Sequence, residues 1–348
     1  MSGLIVALRE RDNFKRLDQV LARGKPMRRR EFITLVGDAI VTWPFAALAQ
    51  AGRTYRLGVL LPLTRDAPVN VAFFEELRRR GFVEGQNLTI DYRAFAPHVD
   101  LISQYAAELV KAQPDVIYAG GGMAIRAVQQ ATKTIPILAF TDDLVGEGLV
   151  ESLARPNGNT TGLSILTTEL DGKRQEILIE AVPGIRRMAA LADSSTLTEA
   201  KARALQEAAR ARNIDLYIHR IAKDEEIPAA IDKAHALGAT ALNVFASPML
   251  HGNGRLIMER VAALRLPAMY QWPEMAEEGG FVAYGPRLDQ LSDLAARFAA
   301  NLLRGAKPAD LPIEQPTKFE LVINLKTAKA LGLTIAESFL VNADRVIE

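Results

Sequence analysis

The sequence predicts an α/β protein with two lobes, each built on a doubly wound parallel sheet. Nine short runs predict strands; they are 57–61, 88–92, 116–119 and 135–140, then 188–192, 216–221, 241–246, 268–270 and 281–284. Continuous apolar runs suit strands buried on both faces, whereas the alternation of Leu88, Ile90 and Tyr92 with polar residues suggests a more exposed strand. Stretches with helical spacing separate the runs, and this alternation indicates right-handed βαβ units. Nine strands are too many for one compact sheet of this kind, so two lobes are expected.

The helices and the division between the halves follow from residue spacing. Leu101, Tyr105 and Leu109 share one helical face, and a stripe of apolar residues over 288–302 predicts a longer helix. A turn-forming cluster at 155–159 closes the first half. We expect the chain to cross into the second lobe at about residues 164–168.

Composition excludes several classes of protein. The 348 residues are 49% hydrophobic and 24% charged, which is typical of a folded globular protein of about two domains. There is no cysteine, so disulfides and thiolate sites are excluded. The four histidines lack metal-ligand spacing, so no metal site is predicted. After residue 50 the chain is slightly acidic overall, which argues against nucleic-acid binding.

The first fifty residues predict an export signal. Three arginines at 28–30 precede an apolar stretch that ends in Ala47-Leu48-Ala49, so residues 27–49 have the parts of a signal peptide cleaved after Ala49. Arg29-Arg30 followed by Phe32-Ile33 is similar to a twin-arginine signal, and Sec export stays open. Residues 1–26 are either a true extension or untranslated sequence before Met27. A periplasmic mature protein, without membrane insertion, is expected.

Candidate binding residues follow the predicted strands, since ligands of open α/β sheets bind beyond the carboxyl ends of the strands. Glycine and hydroxyl residues there expose N–H groups at helix starts, which favours a carboxylate. Asp142 suits an ammonium group, and tyrosines offer stacking faces. The predicted ligand-binding residues are Pro62, Thr64, Gly121, Gly122, Met123, Thr141, Asp142, Ser194, Ser195, Ser247, Pro248, Tyr270 and Tyr284.

Each of these residues has a structural alternative. The glycines suit tight turns, the serines suit helix N-caps, Asp142 suits a turn cap and the aromatic residues suit a core. Their recurrence at the same topological place in both halves favours binding. No dinucleotide fingerprint or P-loop is present, and the sequence 162–166 lacks the second glycine of a nucleophile elbow. Neither catalytic residues nor a cofactor are predicted.

Three segments carry a family resemblance. Residues 148–156 (GLVESLARP), 172–174 (GKR) and 316–332 (PTKFELVINLKTAKALG) resemble the ABC transporter substrate-binding protein family that includes tryptophan-binding members. The resemblance implies a type I periplasmic binding protein, or Venus-flytrap, in which three crossings join the lobes. It assigns 54–165 and 286–311 to lobe 1, and 166–285 and 312–348 to lobe 2.

The function implied by this resemblance is capture of a small organic solute, such as an amino acid, an aromatic compound or a carboxylate. Delivery to the membrane permease of an ABC importer would follow. A periplasmic sensor domain that signals to a partner protein is the alternative. Adjacent permease and ATPase genes would favour transport, whereas an adjacent histidine kinase gene would favour sensing.

Overall fold

Two separate sheets organise residues 53–96 and 98–348, the part of the chain described by the computed structural model. The predicted extension 1–26 and the predicted signal 27–49 lie outside these residues. Residues 54–348 form one compact unit. The prediction of two α/β lobes is confirmed.

The first sheet contains five parallel strands in the order β2-β1-β3-β4-β5. Its strands are β1 (Tyr55–Leu61), β2 (Leu88–Ala94), β3 (Val116–Gly120), β4 (Ile137–Thr141) and β5 (Thr160–Ser164). The helices that follow its first three strands are α1 (Pro68–Arg79), α2 (Ile102–Lys111) and α3 (Gly122–Ala131). The central strands β1 and β3 are almost entirely buried, as their continuous apolar runs predict.

The second sheet contains seven strands in the order β12-β11-β10-β9-β8-β6-β7. Its strands are β6 (Arg187–Asp193), β7 (Asp215–Ile221), β8 (Ala241–Val244), β9 (Ala268–Tyr270), β10 (Val282–Gly285), β11 (Glu320–Asn324) and β12 (Arg345–Ile347). Only the β10–β11 pair of this sheet is antiparallel. Its helices are α4 (Asp171–Ala181), α5 (Glu199–Arg210), α6 (Ile227–Ala236), α7 (Pro248–Gly252), α8 (Gly254–Ala263) and α9 (Pro273–Glu277). Helix α10 (Leu288–Leu303) follows β10, and α11 (Leu325–Ala330) and α12 (Glu337–Leu340) follow β11.

Three segments connect the two sheets. The chain leaves the first sheet after β5, at 165–170, and returns at 286–287 with α10, where Ser292 Oγ donates to the Val69 carbonyl at 3.1 Å. It leaves the first sheet for the second time at 315–319, directly after Glu314, which still pairs with Leu163 of β5. The predicted lobe boundaries place this third crossing near 312 and stay a prediction.

Three strands lie outside the nine predicted from apolar runs. They are β5, β11 and β12. Strand β5 has the sequence TTGLS, yet it is wholly buried, because its hydroxyl groups have partners. Thr161 Oγ1 donates to the Leu311 carbonyl at 2.7 Å, and Ser164 Oγ accepts from the Leu144 N–H at 2.8 Å. Hydrogen bonding thus makes a polar segment suitable for the interior.

Candidate functional site

The carboxyl ends of the first-lobe strands bring several predicted site residues to one edge. Gly121 has a φ of +83°, a conformation that favours glycine, and it leads directly into α3. Thr141 ends the neighbouring strand β4 and is buried, whereas Met123, in the first turn of α3, is 57% exposed. Pro62 is partly buried and Thr64 is exposed in the loop that follows β1.

Glu147, a residue that the sequence analysis missed, occupies this edge. Its Oε1 accepts from Thr141 Oγ1 at 2.8 Å and faces the Asp143 N–H at 3.5 Å. Its Oε2 lies so close to Gly122 that a Cβ atom added there would stand 1.8 Å away. Helix α3 has no side-chain cap and no acidic residue in its own first turn. The carboxylate at the start of α3 therefore comes from Glu147, 25 residues along the chain.

Asp142 binds the first crossing. Its Oδ1 accepts from Thr167 Oγ1 and from the Thr168 N–H, both at 2.9 Å, and its Oδ2 accepts from Thr168 Oγ1. Both carboxylate oxygens thus have partners within the chain. The turn-capping alternative describes this geometry, and an ammonium group would have to share these oxygens.

A buried charge cluster holds the same crossing from the second lobe. Arg174 on α4 is fully buried, and its Nη1 donates to the Thr167 carbonyl at 2.7 Å and to Asp171 Oδ1 at 3.0 Å. Its Nε donates to the Tyr284 carbonyl at 2.7 Å, at the end of β10. Lys201 Nζ lies 3.2 Å from Asp171 Oδ2 and donates to the Thr168 carbonyl. One guanidinium therefore joins the starts of two crossings.

Burial dominates the electrostatics of this cluster. Desolvation raises the pKa of Asp171, an effect opposed by Arg174, Lys201 and the Ala246 N–H. Desolvation also lowers the pKa of Arg174, while Asp171 opposes that change. Each charge therefore depends on its partner to remain ionised inside the protein.

The predicted residues at the second-lobe strand ends have different environments. Ser247 caps α7 by accepting from the Leu250 N–H at 3.1 Å, with Pro248 exposed beside it. Ser195 Oγ donates to Asp193 Oδ1 at 2.6 Å, and Ser194 is exposed. The Tyr284 ring is partly buried, with its centroid 6.3 Å from that of Phe319 in the third crossing.

Tyr270 does not offer the stacking face that the sequence analysis expected. It is 1% exposed, it belongs to the hydrophobic core and its ring packs on Gly280, where a Cβ would lie 2.7 Å from Cε2. Burial raises the pKa of its hydroxyl above the ordinary value. The core alternative therefore describes Tyr270, because the short strand β9 runs through the middle of the second sheet.

The two lobes touch at their strand-end edges. Leu63, in the loop after β1, meets Gly252 at the end of α7, where an added Cβ would lie 3.2 Å from Leu63 Cδ2. Loops that follow strands of both sheets thus face each other. A cavity of about 510 Å³ lies elsewhere, between the start of α10 and the third crossing, and none of the predicted site residues lines it.

His251, which precedes Gly252 in α7, has an unusual environment. Its ring meets Trp272 edge-on at 5.8 Å, and among the described residues its Nδ1 has no hydrogen-bond partner. Burial lowers the pKa of the imidazole from 6.5 to about 4. Protonation is therefore disfavoured in the folded protein.

We expect His251 to make the protein less stable in acid. Between pH 6.5 and pH 4 the unfolded chain binds a proton at this residue that the folded chain does not, so the free energy of unfolding falls by about 3 kcal/mol as the pH drops through this window. Urea unfolding at several pH values, compared with His251→Gln, measures it. His98→Gln, at an exposed histidine, is the matched control. Equal pH slopes for wild type and His251→Gln would contradict the expectation.

The described residues offer neither a metal site nor a membrane-spanning helix. Within 53–96 and 98–348, no group of three or more His, Asp or Glu side chains is placed to hold a metal ion. In the same ranges, no helix has the length and apolar character needed to cross a bilayer.

Two α/β lobes, three crossings and facing strand-end loops define a type I periplasmic binding protein fold. A profile of the ABC transporter substrate binding protein family matches residues 62–347. The chain belongs to this family, as its sequence segments indicate.

Relatives and solved structures agree with this assignment. A tyrosine-binding protein of Clostridioides difficile is 26% identical over 269 residues, which is 75% of each chain. A conserved domain protein of Vibrio cholerae has a similar structure, with 25% identity, a TM-score of 0.73 and coverage of 84% of this chain and 100% of that one. An ABC domain in complex with L-Trp from Streptococcus pneumoniae has the same TM-score and coverage at 23% identity.

Proposed function

We propose that this protein captures an amino acid between its two lobes. An aromatic amino acid is the leading candidate. The protein then delivers the solute to the permease of an ABC importer. Family membership over 62–347 carries the proposal. The named ligands of the relatives, tyrosine and L-Trp, support an aromatic amino acid. The export signal that the sequence predicts at 27–49 supports a periplasmic location for this activity.

Closure of the lobes provides the mechanism. In an open form the solute reaches one lobe, and in the closed form the loops after β1, β3 and β4 meet those after β6 and β8 across it. Contacts from both lobes exist only in the closed form, so the solute shifts the population toward closure. The contact of Leu63 with Gly252 marks the edge where the lobes meet. The permease then recognises the closed shape.

A thermal-shift screen of residues 50–348 tests solute capture. L-tyrosine, L-tryptophan and L-phenylalanine form the test set, and L-alanine and glycine are the matched controls. A solute at 100 times its Kd adds about 2.7 kcal/mol of stability, so a clear rise in Tm is expected for at least one aromatic amino acid. The absence of any response across a wider panel of amino acids and small carboxylates would count against solute capture.

A further inference from the structure

The first lobe holds a carboxylate of its own where hydrogen-bond donors converge. Glu147 Oε1 accepts from Thr141 Oγ1 at 2.8 Å, and Oε2 lies against Gly122 at the start of α3. The helix has neither a capping side chain nor an acidic residue in its first turn, so Glu147 is the negative charge that faces its positive end.

The surrounding residues explain why Glu147 adopts this position. Its N–H donates to the Asp143 carbonyl at 2.9 Å, and its carbonyl accepts from Arg126 Nη2 at 2.7 Å, so the backbone is fixed at both sides. Residue 122 is glycine, which leaves the space that Oε2 uses. The side chain itself is only partly buried and belongs to a loop, so it can swing away without disturbing the sheet.

We propose that Glu147 is a specificity-determining residue that competes with the solute. In the solute-free protein its carboxylate accepts from the Thr141 hydroxyl, faces the Asp143 N–H and lies beside Gly122 at the start of α3, and a solute carboxylate binds by displacing it. This inference rests on the proposed function, since it concerns the same strand-end edge. Only molecules in which Glu147 has left these donors can bind a solute carboxylate. The apparent affinity for carboxylate solutes is therefore lower than the intrinsic affinity in proportion to that fraction.

The variant Glu147→Gln tests the competition. A neutral amide keeps the size of the side chain and binds these donors less strongly than a carboxylate does. We expect the Kd for an aromatic amino acid, measured by calorimetry, to fall roughly three- to tenfold. The matching amino-acid amide, which lacks the carboxylate, should show little change. Glu151→Gln is the matched control, because Glu151 lies in the same loop, is exposed and its carboxylate accepts from the Asn157 side chain.

The possible results separate this inference from the proposed function. Tighter binding of the acid by Glu147→Gln, with Glu151→Gln unchanged, supports the competition. Unchanged or weaker binding by Glu147→Gln overturns it, and a weaker result assigns Glu147 to recognition of the solute ammonium group. If neither wild type nor variant binds any compound, the proposed function fails and this inference fails with it.

Discussion

Replacing Arg174 by methionine is expected to lower the free energy of unfolding by about 3–5 kcal/mol. The change leaves Asp171, which is 2% exposed, with Lys201 as its remaining cationic partner inside the protein. It also removes the donors to the buried carbonyl of Thr167 and the partly buried carbonyl of Tyr284, at the starts of two crossings. Urea unfolding monitored by circular dichroism measures the loss.

The matched control for this change is Arg255→Met. Arg255 also pairs with a carboxylate, Glu259, but its side chain is 91% exposed, so the loss there should stay below about 1 kcal/mol. The double variant Asp171→Asn, Arg174→Met should recover part of the stability, because residue 171 then carries no buried charge, while Lys201, whose side chain is 24% exposed, still donates to the Thr168 carbonyl. A loss below 1 kcal/mol for Arg174→Met would show that the cluster does not hold the crossings.

Replacing Asp142 by alanine is expected to weaken solute binding at least tenfold, because the first crossing (165–170) is then no longer held in position. The change removes the acceptors of three hydrogen bonds from Thr167 and Thr168 and leaves a buried hydroxyl unpaired. We also expect about 1–3 kcal/mol of lost stability. Calorimetric titration with the solute found in the thermal-shift screen measures the binding.

Asp142→Asn distinguishes this positioning role from direct contact with the solute. The amide keeps an acceptor for Thr167 and for the Thr168 N–H, and its nitrogen can donate to the other hydroxyl, so binding should stay within about threefold of wild type. Asp232→Ala is the matched control, since Asp232 on α6 pairs with Arg260 on α8, away from the strand-end edge. Equal loss in Asp142→Asn and Asp142→Ala would instead assign the charge of Asp142 to an ammonium group.

Most of the fold could be predicted from the sequence, because parallel strands that are buried on both faces have continuous apolar sequences. All nine predicted runs correspond to strands, and the stripe over 288–302 corresponds to α10. Strand β5 escaped prediction because its threonines and serine are buried through hydrogen bonds to residues as distant as Leu311. Such a partner 150 residues away leaves no local pattern.

The candidate site was less predictable than the fold. The topological rule selected strand ends as the place of the site, but it could not tell which side chains there are already occupied by partners within the chain. Tyr270 is in the core because its strand is central, and Asp142 is occupied by a crossing that folds back on it. Glu147 escaped notice because its relation to Gly122 spans a loop without periodicity. The GKR segment at 172–174 was recognised as a family feature, but its arginine gave no sign that it would be buried.

The order of the elements along the chain constrains the synthesis of this protein. Helix α10, which packs on α1 in the first lobe, comes after all but the last two strands of the second sheet. The second sheet in turn lacks β11 and β12 until the final thirty or so residues have been made. A nascent chain on the ribosome therefore cannot complete either core before nearly the whole polypeptide has emerged, and until then it exposes apolar surface that a chaperone can bind.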